Sequence, residues 1–143
     1  MTGERELAPE ETRLAFEAMR VLRPHLASAD EFVTRVNGAQ RGEGYRLVAS
    51  FADSVADAVA VGGFRRLHTL AWGDVLYIDD LVTLESHRGR GHAHRLLEWI
   101  RTEGRRLGCD QIHLDSAPHR HPAHRLYLTE RFHISSFHFS RDV

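Results

Sequence analysis

Residues 77 to 97 read YIDDLVTLESHRGRGHAHRLL and pass from a strand through a loop into a helix. The run 75–84 is rich in β-branched and apolar residues, which predicts a strand. From Ala93 to Leu107 the apolar residues follow the helical period, and a glycine stands at the expected C-terminal stop. Gly89 and Gly91 lie between strand and helix. The stretch therefore indicates a strand–loop–helix crossover in an α/β sheet.

The sequence on either side of this crossover predicts a mixed central β-sheet flanked by about four helices, in a single α/β domain spanning residues 1–143. The apolar residues change between the helical period and short β-type runs, with turn residues at each change. The predicted elements are helices over 9–22 and 28–36, a hairpin of strands 45–51 and 56–64, a strand over 111–115, a helix over 121–130 and a last strand over 132–139.

The composition is that of one globular domain, and a cytoplasmic setting is the default expectation for a chain with a lone cysteine and no recognisable signal region. Of 143 residues, 42% are apolar and 27% are charged, and the net charge of -1 lacks the basic excess that nucleic acid favours. Cys109 is the single cysteine, and no signal peptide is recognisable. The apolar runs are shorter than the roughly 20 residues that a membrane span needs. We therefore expect neither nucleic acid nor a membrane as a partner.

The glycine loop predicts an anion site. The first N–H groups of a helix have no intrahelical acceptor, and the helix dipole adds partial positive charge there. Gly89 and Gly91 allow close backbone approach, and Arg88 and Arg90 add positive charge. The alternative is that both glycines are plain turn residues. No Gly-Lys-Ser/Thr follows, and the loop is shorter than the dinucleotide fingerprint, so neither nucleotide hydrolysis nor hydride transfer is indicated.

Two motifs in order resemble the GNAT superfamily of acyl-CoA-dependent N-acetyltransferases. Arg88-x-x-Gly91-x-Ala93 is similar to the pyrophosphate motif of that family, and Ala123-x-x-Leu126-Tyr127 is similar to its later helix segment. The resemblance implies the fold given above and acetyl-CoA as co-substrate. The expectation that no metal is bound comes from the residues themselves, as described below for the histidines.

The resemblance also implies roles for individual residues. The main chain of the strand end would bind the acetyl carbonyl and the pantetheine arm, and the glycine loop would hold the pyrophosphate. Tyr127 would protonate the departing thiolate, a role that a phenol can fill with its ordinary pKa of about 10. The implied cofactor-binding residues are Leu81, Val82, Thr83, Arg88, Gly89, Arg90, Gly91, His92, Ala93 and His94.

An amine attacks a thioester only as the free base, so a proton acceptor is needed. Asp79 and Asp80 are the first candidates, because two acids are unusual within an apolar strand. Strand alternation predicts that they lie on opposite faces, so that only one enters a given cleft. The alternative is that an Asp merely pairs with an arginine.

Histidines form a second pool of candidates. His119 and His121 flank the segment that leads into the helix of Tyr127, which suggests acceptor binding. We expect His92, His94 and His124 to be exposed helix residues instead. The spacing of the histidines would tolerate a metal, but no matching cysteine or carboxylate completes a site.

The sequence thus predicts an N-acetyltransferase that moves the acetyl group of acetyl-CoA to a primary amine, by direct attack in a ternary complex. The acceptor is expected to be a small molecule. The alternatives are a non-catalytic acyl-CoA sensor on the same fold and an acetyltransferase for proteins. A homodimer is also possible.

Overall fold

The computed structural model describes residues 3 to 143. Contacts divide the chain into two compact units, with the boundary between His113 and Leu114. The five strands form one sheet in sequential order. They are β1 (Gly3–Glu6), β2 (Arg46–Phe51), β3 (Ala60–Thr69), β4 (Gly73–Thr83) and β5 (Gln111–Leu114).

Four α-helices accompany the sheet, and the first two and the last are short. They are α1 (Phe16–Leu22), α2 (Ala29–Arg35), α3 (His92–Leu107) and α4 (His121–Thr129). A 3-10 helix over Pro9–Ala15 leads into α1, and another over Glu85–His87 precedes the glycine loop. No helix in the described range 3–143 is long and apolar enough to cross a membrane.

Local chemistry sets several of these boundaries. Ser28 caps α2, because its Oγ accepts the Glu31 N–H at 3.1 Å. Gly108 ends α3 in the left-handed conformation, with φ +75°. The structure confirms, to within a few residues, the helices predicted over 9–22, 28–36 and 121–130 and the strands predicted over 45–51 and 111–115. The strand predicted over 56–64 is present as β3, but it lies further along the chain, at Ala60–Thr69. The strand β1 was not predicted, since the polar sequence GERE carries no strand pattern.

The hydrophobic core of the first unit holds β2, β3 and β4 together. On one side, Phe16 and Met19 of α1 pack with Phe32 of α2 against the sheet. Leu96 and Ile100 of α3 are also fully buried. Side chains of this kind each contribute about 1.5–3 kcal/mol through burial. The core thereby fixes α1 and the start of α3 against the strands that carry the candidate site.

The last predicted strand, over 132–139, is wrong. Residues 132–143 have no regular secondary structure, and Ile134, Phe137 and Phe139 are exposed. The β-type pattern predicts an extended conformation, but a strand also needs a neighbour to satisfy its N–H and C=O groups. No strand in residues 3–143 supplies that neighbour.

Candidate active site

The loop before α3 presents a row of N–H groups. Gly89 and Gly91 have φ of +74° and +81°, a conformation that side chains disfavour. A Cβ on Gly89 would meet nothing within 4 Å, so the backbone conformation rather than space requires glycine there. Within the described chain, the N–H groups from Gly89 to Ala93 have no main-chain acceptor, and the first helical bond runs from Arg95 to Gly91 at 3.0 Å. The loop can therefore bind an anion.

Two arginines of the loop differ in their partners. The Arg88 Nε donates to the Thr83 carbonyl at 3.3 Å, which ties the loop to the end of β4. The Arg90 guanidinium has no ion-pair partner among residues 3–143. A cavity of about 550 Å³ adjoins the loop, and Arg90 and His92 both line it. Arg90 therefore offers a positive charge that no carboxylate of the described chain neutralises.

His92 is buried, so the prediction that it is an exposed helix residue is wrong. Its Nδ1 accepts from Arg95 Nη2 at 2.9 Å and lies 2.8 Å from the Ser50 Oγ. Because a guanidinium only donates, the neutral imidazole carries its proton on Nε2. Burial, with the Arg95 charge next in importance, lowers the pKa of His92. His94 is exposed, as predicted.

The network under His92 joins the loop to the far edge of the sheet. The Ser50 hydroxyl donates to Glu4 Oε1 at 2.7 Å, and Arg95 Nε donates to the same oxygen at 2.9 Å. Glu4 lies in β1, Ser50 in β2, and His92 and Arg95 in the first turn of α3. The N-terminus of α3 is thus held by two strands as well as by its own loop.

The outer edge of β4 is largely open. On the inner edge, Leu81, Val82 and Thr83 pair with Gly62, Val61 and Ala60 of β3. On the outer edge β5 has four residues against eleven in β4, and Asp110 N donates to Asp74 O at 2.9 Å near the start of both strands. Most main-chain groups on this edge of β4 therefore have no strand partner in the described chain, and an extended ligand could pair with them.

A β-bulge brings both acids of β4 to one face. Gly63 pairs with Asp80 while Phe64 pairs with Ile78, so Asp79 is an extra residue in the ladder. The bulge interrupts the alternation of side chains. The prediction of opposite faces is wrong for this reason, because strand alternation holds only where the pairing is regular.

Asp80 is held on both of its oxygens. Arg23 Nε donates to Oδ1 at 2.8 Å, and the Tyr45 hydroxyl donates to Oδ2 at 2.7 Å. Burial, and after it the Asp80 charge, raises the pKa of Tyr45 well above its usual value, so the phenol stays a donor. Gly63 makes the contact possible, since a Cβ at that position would overlap the Tyr45 hydroxyl.

Asp79 has more freedom than Asp80. Arg65 Nε donates to its Oδ2 at 2.9 Å, while Oδ1 has no partner among residues 3–143. Its side chain is 28% exposed, compared with 14% for Asp80. Burial raises the pKa of Asp79 despite the opposing effect of Arg65. Of the two carboxylates, Asp79 is the one with an oxygen that no group of the described chain engages.

The sequence did not reveal the residues that organise this pair. Tyr45, Arg23 and Arg65 come from three separate parts of the chain, the residue before β2, the residue after α1 and strand β3, and none belongs to a motif. Arg65 Nη2 also donates a hydrogen bond to Gln40 Oε1 at 2.7 Å. The Arg65 guanidinium lies 5.4 Å from the centre of the Tyr45 ring. In the sequence, Arg23 directly follows the predicted helix 9–22 and Tyr45 begins the predicted strand 45–51, but neither position indicates a binding residue.

The second unit carries Tyr127 on α4. The side chain is 8% exposed and its ring lies 5.8 Å from that of Phe132, edge to face. Burial raises the pKa of the phenol. Its hydroxyl makes no hydrogen bond within the described chain. In the same unit, the Ser116 Oγ is buried without a partner, which points to a polar group that a ligand or water would supply.

The two candidate histidines of this unit are exposed. His119 lies in the segment before α4, and His121 is the first residue of the helix, with its ring 6.0 Å from that of His124. His124 is half-buried rather than exposed, because its Nε2 lies 2.9 Å from the Ala117 carbonyl oxygen. Within residues 3–143, no group of three or more His, Cys, Asp or Glu is arranged to hold a metal ion.

Comparison with known proteins identifies the family. The model of the acetyltransferase (GNAT) family matches residues 12–133. The uncharacterized N-acetyltransferase YhdJ of Bacillus subtilis is 29% identical over 135 residues, which cover 94% of this chain and 93% of that protein.

Solved structures share the fold. The aminoglycoside N-acetyltransferase AAC(6′)-Iy, solved with CoA, superposes with a TM-score of 0.84 at 17% identity, over 99% of this chain and 95% of its own. A Trypanosoma brucei acetyltransferase gives 0.81 at 19% identity, with all of both chains covered. The predicted α/β fold is confirmed. The chain belongs to the acetyltransferase (GNAT) family and is an acyl-CoA-dependent acetyltransferase.

Proposed function

We propose that this acetyltransferase moves the acetyl group of acetyl-CoA to the primary amine of a small cationic molecule, in a ternary complex. The observation that carries the proposal is the acidic cluster at the β4 bulge. Asp79, Asp80 and Glu43 contribute three carboxylates against the guanidiniums of Arg23 and Arg65, which leaves one net negative charge. A protonated amine complements that charge.

The unpaired N–H groups of the glycine loop and the open outer edge of β4 suit the parts of an acyl-CoA molecule. The loop from Gly89 to Ala93 and the Arg90 guanidinium suit a pyrophosphate, and the outer edge of Leu81 to Thr83 suits an amide-containing arm. Acetyl-CoA supplies the activated acyl group as a thioester.

The ammonium ion of the acceptor gives up two protons during the reaction. Asp79 takes the first and passes it to water, which leaves the free amine to attack the thioester carbonyl carbon. The new C–N bond forms as the C–S bond breaks. Tyr127 donates its proton to the departing thiolate, and the second proton of the amine restores the phenol. The products are an amide and the free thiol of CoA.

A structural relative gives independent support for the acceptor class. AAC(6′)-Iy has been solved with the bisubstrate analogue CoA-S-monomethyl-acetylneamine, with a TM-score of 0.84 and 17% identity to this chain. Such an analogue joins the coenzyme and an aminoglycoside-type acceptor in one molecule. We therefore favour a small polycationic acceptor over a protein for this chain.

The test is thiol release from acetyl-CoA with a panel of polyamines, aminoglycosides, monoamines and lysine-containing peptides. We expect release that depends on a small polycation, and a kcat/KM lowered about 100-fold or more by Asp79→Asn. Asp57→Asn, at an exposed loop position, is the matched control and should match the wild type. Release with peptides alone would overturn the small-molecule acceptor, and no release with any amine would overturn the whole proposal.

A further inference from the structure

Arg95 lies in the first turn of α3 and uses all three of its guanidinium nitrogens for hydrogen bonds within the protein. Nε donates to Glu4 Oε1 at 2.9 Å, and Nη2 donates to His92 Nδ1 at 2.9 Å. Nη1 donates to the main-chain carbonyl oxygen of Arg90, in the glycine loop, at 3.1 Å. Because the guanidinium is a rigid planar fork, three acceptors in different directions fix its orientation.

The bond from Arg95 to the Arg90 carbonyl fixes one peptide group of the glycine loop. In a planar trans peptide, the carbonyl of Arg90 and the N–H of Gly91 point in opposite directions. The Gly91 N–H is therefore directed away from Arg95, and it has no acceptor among residues 3–143. It belongs to the row of N–H groups that suits a pyrophosphate.

Glycine alone does not impose this orientation. Gly91 has φ +81°, but glycine adopts positive and negative φ about equally well. The peptide between Arg90 and Gly91 could therefore rotate by half a turn, and it would then present a carbonyl oxygen instead of an N–H to a bound anion. That rotation breaks the hydrogen bond to Arg95. The Arg95 side chain thus favours the arrangement in which the N–H is available.

The space around Gly91 shows how closely Arg95 packs on the loop. A Cβ at position 91 would lie 3.0 Å from Arg95 Nη1, whereas a Cβ on Gly89 would meet nothing within 4 Å. The two glycines of the loop therefore differ. Gly91 supplies a backbone conformation and also leaves room for the guanidinium that holds the neighbouring carbonyl.

Buried side chains in turn hold Arg95. Ser50 is 0% exposed and His92 is 6% exposed. The Ser50 hydroxyl donates to Glu4 Oε1 at 2.7 Å, the same oxygen that Arg95 Nε uses. The Glu4 carboxylate also opposes the guanidinium charge, so Arg95 offers an anion little net positive charge. The arrangement favours orientation rather than charge as the contribution of Arg95.

We propose that Arg95 is a positioning residue for acyl-CoA, whose hydrogen bond to the Arg90 carbonyl keeps the Gly91 N–H directed at the pyrophosphate. This role rests on the proposed function, in which the pyrophosphate lies at the glycine loop. The acetyl group would lie at the end of β4 instead. Arg95 therefore determines the affinity for the coenzyme and leaves the transfer step to other residues.

Titration calorimetry with two thioesters tests this role. Acetyl-CoA contains the pyrophosphate, and S-acetylpantetheine lacks it. Arg95→Gln should raise the dissociation constant of acetyl-CoA about tenfold and leave that of S-acetylpantetheine unchanged. Arg95→Lys keeps the charge but cannot reproduce the three-way fork, so it should weaken acetyl-CoA binding by a similar factor. Arg101→Gln is the matched control, because it removes the same charge from an exposed position on α3.

Glu4→Leu provides a test that does not depend on whether an Arg95 variant folds. The substitution removes the carboxylate that holds Arg95 and, with it, a negative charge near the loop. If Arg95 acted through charge alone, acetyl-CoA would bind more tightly to this variant. Because orientation is lost, we expect binding weaker by about threefold or more.

Four outcomes would overturn the role of Arg95. They are an unchanged acetyl-CoA dissociation constant in Arg95→Gln, wild-type affinity in Arg95→Lys, tighter binding by Glu4→Leu, and an equal loss for both thioesters. Calorimetry needs no acceptor, so these results are independent of the amine that the enzyme uses. Absence of thiol release with every amine would count against the proposed function and would leave the binding comparison intact.

Discussion

Neighbouring residues of identical chemistry have different roles in this protein because their partners differ. Asp80 accepts from Arg23 and Tyr45 and has both oxygens engaged, whereas Asp79 keeps one oxygen available. The sequence singled out both, since acids within an apolar strand are conspicuous. The sequence could not show which of the two acids keeps a free oxygen, because that depends on a bulge and on side chains from distant parts of the chain.

At the same scale, Tyr127→Phe tests the proton donor. The substitution keeps the buried ring and removes the hydroxyl, so stability should change little while kcat falls by about 100-fold or less, because a thiolate needs little acid assistance. Burial raises the pKa of this phenol, so the wild type keeps its donor past pH 10.

The measurement is kcat for thiol release between pH 6 and about pH 10, together with a melting curve for each protein. Because the phenol stays protonated over this range, the variant should show a lower kcat at every pH, with a profile of the same shape as that of the wild type. Equal turnover of both proteins at every pH would show that Tyr127 is not the donor.

At the scale of elements, the sequence was most informative where pattern and local chemistry coincide. In the hairpin and in α3 the apolar pattern and the turn or capping residues agree, and both elements are present. The glycine loop joins β4 to α3, at the place where the sequence predicts a turn between strand and helix. The segment 132–139 shows what pattern alone omits, since a strand requires a neighbour and the described chain offers none. β1 shows the converse: four polar residues form a strand because β2 presents an edge to them.

Gly63→Ala tests how β3 shapes the acidic cluster. A Cβ at this position overlaps the Tyr45 ring, so the Tyr45–Asp80 hydrogen bond should be lost and the free energy of unfolding should fall by about 1–3 kcal/mol. Urea denaturation measures the change. Gly42→Ala is the control, because its Cβ would meet nothing within 4 Å.

A double substitution separates this steric cause from a general weakness of β3. In a Tyr45→Leu background the overlap is absent, so adding Gly63→Ala should cost much less than it does in the wild type. Equal costs in the two backgrounds would show that Tyr45 is not what excludes the Cβ.

At the scale of the whole molecule, ion pairs connect helix and sheet and make stability depend on pH. Glu103 of α3 accepts from Arg106 at 2.6 Å and pairs with Arg46 of β2 at 2.8 Å, and its side chain is 10% exposed. The Arg106 hydrogen bond, with Arg46 adding to it, lowers the pKa of Glu103 to about 2. A lowered pKa stabilises the fold above the unfolded value of about 4.5, and the benefit disappears as pH falls towards 2.

Glu103→Gln should therefore lower the free energy of unfolding by up to about 3 kcal/mol at pH 7 and by much less near pH 2. Urea denaturation at the two pH values provides the comparison. Glu98→Gln on the same helix is the control, because its pair with Arg101 at 3.4 Å is exposed and should contribute under about 0.5 kcal/mol. A constant difference between wild type and Glu103→Gln across this pH range would contradict the assignment.

The bonds that join Glu4, Ser50, His92 and Arg95 have a consequence for local unfolding. An edge strand usually frays independently of the rest of a sheet, and a binding loop usually opens independently of the edge. Here both movements break the same hydrogen bonds, so β1 and the first turn of α3 open as one unit. An anion bound at the loop would consequently slow amide hydrogen exchange in β1, a strand that none of the predicted coenzyme contacts includes.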